Sequence, residues 1–122
     1  MPVPAVNGVS APTLLSCRAL KNSLPQELGK GVRLRAALPT SDTTAAWGDP
    51  PVTLRCGVKA GSATDDPYVF DGVHWAMHDK GASRSWTTTG RPVNVVVEFP
   101  DSYSGQAELL GALAKAITTT LR

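Results

Sequence analysis

The chain changes hydrophobic period along its length. Near its start, Leu14, Cys17, Leu20 and Leu24 recur at helical spacing, with Arg18, Lys21 and Asn22 on other faces. Ser10 is placed to cap this helix, Pro12 suits its first turn, and Pro25 with Gly29 ends it near Leu24. From residue 32 the period becomes two. Val32-Arg33-Leu34-Arg35-Ala36-Ala37-Leu38 alternates as a half-buried strand. Residues 52–58 do the same, with Val52, Leu54, Cys56 and Val58 opposite Thr53 and Arg55. A third strand is expected within 68–78, with Val73, Trp75 and Met77 on one face and His74, Ala76 and His78 on the other. Asp79-Lys80-Gly81 reads as a hairpin turn and 84–89 as a β-prone run. Val93, Val95, Val97 and Phe99 line the clearest strand. Leu110, Leu113, Ile117 and Leu121 mark a closing helix capped within 101–104, and Thr118, Thr119 and Thr120 weaken its end.

Residues 39–51 and 59–67 read as loops. The order is helix, about five strands, helix. With hairpin-length links this predicts an α+β two-layer sandwich, its mostly antiparallel sheet covered on one face by both terminal helices. Residues 1–10 are rich in Pro, Gly and small side chains and read as a tail; 11–122 read as one domain with no internal repeat.

Composition narrows the class. A chain of 122 residues supports one core. Its 42% hydrophobic and 18% charged residues fit a folded domain. A net charge of +2 is far below what nucleic-acid binding calls for. No apolar run approaches the roughly 18 residues of a membrane helix. Met1 is followed by neither a basic stretch nor an apolar one, so no secretory signal is written here. Two readings stand: a cytosolic protein, or a domain whose targeting segment lies ahead of this sequence.

The two cysteines bear on that choice. Cys17 lies on the apolar stripe of the first helix and Cys56 on the apolar face of a strand. If that face carries the helix, the sulfurs meet in the core. The matching directions and the even count point to a disulfide and an oxidising compartment; two buried thiols are the alternative. No CxxC pair occurs, and two cysteines with two histidines lack the spacing of a closed zinc site, so neither metal nor cofactor is expected.

Candidate chemistry is sparse. In a strand, His74 and His78 stand about 13 Å apart, too far to share an ion. No Gly-x-Ser-x-Gly elbow positions a nucleophile, and Asp65, Asp66, Asp71, Asp79 and Asp101 fall near turns, where aspartates bond their own backbone. No catalytic residue is assigned. Two binding patterns remain. Arg33, Arg35 and Arg55 alternate with core positions and share the uncovered sheet face, with Arg91, Thr87 and Thr89 as candidates to join them. Such a face holds carboxylates or phosphates unless its guanidiniums pair internally. Trp47-Gly48-Asp49-Pro50-Pro51 presents Trp47 either as a plug for the core or, with Asp49, as an aromatic platform.

These motifs carry a resemblance. Trp47-Gly48-Asp49-Pro50-Pro51-Val52 running into Leu54-Arg55-Cys56-Gly57-Val58 is one half. Asp71-Gly72-Val73-His74-Trp75, then Trp86-Thr87-Thr88-Thr89-Gly90-Arg91 before the 93–100 strand, is the other. With Cys17 upstream, the chain resembles a family of small actinobacterial proteins of unknown function, secreted or membrane-anchored behind a short N-terminal membrane segment. The resemblance implies that Cys17 and Cys56 match the family's cysteine pair and that an anchor precedes this sequence. It supplies no reaction.

The expectation is an extracytoplasmic, non-enzymatic binding domain acting on a cell-envelope component or envelope protein, touching the membrane only through such an anchor. It requires Arg33, Arg35 and Arg55 exposed together. A small envelope hydrolase using His74 requires that side chain in a cleft within reach of an aspartate such as Asp71. A structural accessory subunit requires a contiguous exposed apolar patch.

Overall fold

A computed structural model describes residues 6, 8–29, 31–35, 41–61 and 65–121. The helix α1 (Ala11–Ser23) begins as its sequence dictates. Ser10 Oγ accepts from the Thr13 amide at 3.4 Å, a proline occupies the first turn, and Cys17 and Leu20 are buried. Eight strands follow: β1 (Glu27–Gly29), β2 (Val32–Arg35), β3 (Thr44–Trp47), β4 (Val52–Val58), β5 (Asp66–Phe70), β6 (Val73–Asp79), β7 (Ser83–Thr88) and β8 (Asn94–Pro100). Two short helices close the chain, α2 (Gln106–Gly111) and α3 (Ala114–Thr120).

The strands form one sheet ordered β1-β2-β3-β4-β8-β7-β6-β5. Every neighbouring pair is antiparallel. The chain thus builds two four-stranded meanders whose last strands, β4 and β8, meet at the centre. Val52, Leu54 and Cys56 of β4 and Val95, Val97 and Phe99 of β8 are buried on the inner face, as their alternation requires. On that face α1 touches β4 and α3, α3 touches β6, and α2 touches both β1 and β5. Those two strands end the strand order on opposite sides, so the sheet curls until its edges converge on α2. Leu109, Leu110, Leu113, Ile117 and Leu121 fill the hollow.

The α+β class, the antiparallel sheet and the helical cover stand; the count of about five strands is corrected to eight. Residues 39–51 hold a strand, β3, rather than only a loop. All four of its residues are buried, so Thr44-Ala45-Ala46 shows no polar-apolar alternation to mark it. The expected third strand is a hairpin. Asp71 (φ 50°) and Gly72 (φ 81°) make a two-residue turn between β5 and β6, the Asp-Gly geometry that matches strand twist. The turn at Asp79-Lys80-Gly81 forms as expected, with Lys80 N–H donating to Ser83 O at 2.9 Å. The closing helix is broken after Gly111. A Cβ there would stand 2.7 Å from Asp71 Oδ2, so the Asp71 carboxylate of the β5–β6 turn lies directly over Gly111 and would have to swing aside for any larger residue. The last three residues of the expected strand at 32–38, and residues 1–5 and 7 of the expected tail, lie outside the described residues.

Cys17 and Cys56 form a disulfide that ties α1 to β4 across 39 residues, both 1% exposed. Replacing both with alanine is expected to lower the unfolding free energy by about 4 kcal/mol in the chain-entropy account. Urea unfolding of the two forms measures this, and a loss under about 1 kcal/mol refutes it.

Candidate functional site

The register places Arg35 opposite Ala46, Ala46 opposite Thr53, and Thr44 opposite Arg55. Arg33, Arg35 and Arg55 therefore share the outer face, the one turned away from the helices. They do not form a bare guanidinium surface. Arg33 Nε lies 3.3 Å from Glu27 Oε1. Arg35 Nη1 donates to Gly48 O at 3.0 Å and stands 3.9 Å from Asp49 Oδ1. Arg55 is half-buried and engaged as well. The pairs of Arg33 and Arg35 are exposed, hence weak and readily exchanged.

One binding candidate is corrected and a second is relocated. Trp47 is fully buried, and its indole N–H donates to Pro25 O at 3.0 Å. It plugs the core and offers no platform; a buried indole needs the partner it has found. Arg91 stands in the β7–β8 connection, away from the β2–β4 arginines. Its Nη1 donates to Leu121 O at 3.1 Å, holding the end of α3, where a cation suits the unpaired carbonyls. Asp49 remains exposed beside Arg35.

A residue without a sequence signal joins this end of the sheet. Tyr103 OH donates to Pro50 O, and a Cβ on Gly48 (φ 73°) would collide with that hydroxyl. Burial and the Asp49 carboxylate push the Tyr103 phenol above its ordinary value of 10.0, while Arg35 pulls it down.

The other half of the outer face holds the cavities. The β4–β5 connection must travel from the sheet centre to its far edge, and it passes over β6 and β7. Gly61 N–H donates to Thr88 O at 3.1 Å, and a Cβ on Gly61 would stand 2.5 Å from Ala76 Cβ. This crossing buries Ala76 to 4% exposure and leaves a cleft of about 420 Å³ beside it, lined by Asp65, Pro67, Val69, His74 and Thr89 among others. A second cleft of about 430 Å³, lined by Gly90, Arg91 and Pro92, shares His74 and Thr89 with the first. Histidine 78 Nδ1 lies 3.2 Å from Asp65 Oδ1, clasping the crossover to β6.

His74 lies in a cleft, but no hydrogen bond joins it to a carboxylate among the described residues. Asp71 turns to Gly111 of α2 instead, and the aspartate that faces a histidine is Asp65, with His78. Asp65 was legible only as a loop residue, because nothing local shows that the loop crosses the sheet. Among the described residues, no three His, Cys, Asp or Glu side chains gather to hold a metal ion. No helix among them is long and apolar enough to cross a membrane. Among the described residues the large apolar side chains left exposed are Leu15, Leu34, Tyr68 and Val69; the last two are neighbours on edge strand β5 and point to opposite faces of the sheet.

The family described as Protein of unknown function (DUF3515) matches residues 1–122, and the chain belongs to it. No curated protein and no solved structure matches it.

Tyr103 gives this region a measurable signature. Because its folded value is raised, its contribution to stability is complete below pH 10.0 and declines as pH climbs through the folded value. Ultraviolet titration should show Asp49→Asn lowering the Tyr103 midpoint and Arg35→Gln raising it. Shifts in the reverse directions would contradict the arrangement.

Proposed function

We propose that this domain works outside the cytoplasm, at the cell envelope, as a binding module without catalysis of its own. The observation that carries the reading is the buried Cys17–Cys56 bridge. A disulfide placed to staple a helix to the sheet centre belongs to an oxidising compartment, since cytosolic reductants keep such pairs open. The binding surface is the outer sheet face, from Arg33 and Arg35 on β2 to the clefts around His74 on β6; the internal partners of Arg33, Arg35 and half-buried Arg55 count against the arginine end, so the His74 clefts carry the greater part of the binding reading. Anchoring or secretion through a segment ahead of this sequence, and an actinobacterial source, belong to the same reading. The hydrolase alternative loses support because no aspartate among the described residues is bonded to His74, and Asp65 is bonded to His78 instead. The accessory-subunit alternative loses support, because Tyr68 and Val69, neighbours on β5, face opposite sides of the sheet and make no contiguous apolar patch among the described residues.

The full-length protein is expected in the envelope fraction of its cells, with Cys17 and Cys56 unreactive to an alkylating agent until reduced. Immobilised on beads, the domain should retain a component of solubilised envelope, and Arg35→Ala or His74→Ala should reduce that retention. Recovery in the cytosol with both thiols alkylated directly would overturn the proposal.

A further inference from the structure

The clefts under the crossover loop carry opposite charges at their two ends. Among the described residues, Asp65 is the one Asp, Glu, Lys or Arg lining the first, and Arg91 the one lining the second. His74 and Thr89 belong to both and join them into one trough. Both end groups keep bonding capacity. Toward the described residues, Asp65 uses Oδ1 for His78 and keeps Oδ2, and Arg91 uses one of its five N–H donors on Leu121 O. The His74 imidazole has no hydrogen-bond partner among the described residues, although its backbone carbonyl accepts from Thr89 N–H at 3.1 Å. Between the charges the walls are Pro67, Val69 and Ala76, which suit small apolar side chains.

The span follows from the strand. Asp65 sits beside His78, and His74 lies four residues back along β6, a distance of about 13 Å. An extended peptide advances roughly 3.3–3.6 Å per residue, so about four residues cover it. We propose that the trough binds a short extended peptide of about that length, with its free ammonium at Asp65 and its free carboxylate at His74 and Arg91. This inference rests on the binding reading above and names its ligand class.

Amide NMR of the intact domain with tetra-alanine, free at both ends, tests it. The signals of Val69, His74 and Thr89 should shift, and tetra-alanine acetylated and amidated at its ends should bind at least about tenfold more weakly. His74→Ala should weaken the free peptide by a similar factor while melting at the temperature of the parent. Asp65→Asn should erase the preference for a free ammonium, read with peptides capped at one end only. Equal binding of free and capped peptides overturns the charge assignment, and no shift at millimolar peptide overturns the site. Envelope capture by the same protein reads separately: if it persists without peptide binding, the ligand class falls and the binding module stands; if both fail, both fall.

Discussion

The pairing of β4 with β8 is the contact on which the rest of the molecule depends. Each meander alone is a set of hairpins with one face to hide, and hairpins of this size are marginal by themselves. Joined through their last strands, they become one sheet with a common inner face. The joint is long-range in sequence, so its loop-closure cost must be met before any burial rewards it. The Cys17–Cys56 bridge acts at this place, since it holds α1 against β4, one of the two central strands.

The same joint creates the outer-face cavities. Because β8 takes the position beside β4, β5 is displaced to the far edge, and the connection between them has to cross the face it would otherwise skirt. Gly61 gives the crossing its close approach, and the Asp65–His78 pair fastens its far end. What the loop does not cover becomes the trough around His74 and Thr89. The candidate site is in this sense a by-product of topology, with polar side chains supplied by the solvent parity of β6 and the ends of its neighbours.

At the opposite end, the Trp47-Gly48-Asp49-Pro50-Pro51 turn is a structural knot. Trp47 reaches Pro25, Arg35 reaches Gly48, and Tyr103 reaches Pro50. Strand, turn and the approach to α2 are thereby held in one cluster, which explains an unusual local sequence without a ligand. The one fully buried polar group among these, the Trp47 indole N–H, is matched by a backbone carbonyl, the arrangement that avoids a desolvation penalty.

By itself the sequence determined the elements whose burial is one-sided. The alternation in β4 and β8 and the 3.6-residue stripe of α1 are local consequences of one wet and one dry side, and the inward directions of Cys17 and Cys56 follow from them. It also carried the Asp71-Gly72 turn signal, overshadowed by the apolar run on either side. Only the tertiary structure decided what depends on two-sided burial or on distant partners. β3 is buried on both faces and so shows no alternation. Trp47 became a plug because Pro25 lies beneath it, and Arg91 left the arginine face because α3 ends beside it. Asp65 gained a role only when the strand order carried its loop across the sheet. Periodicity reports the environment of a residue's own element; it carries no record of which remote element supplies that environment.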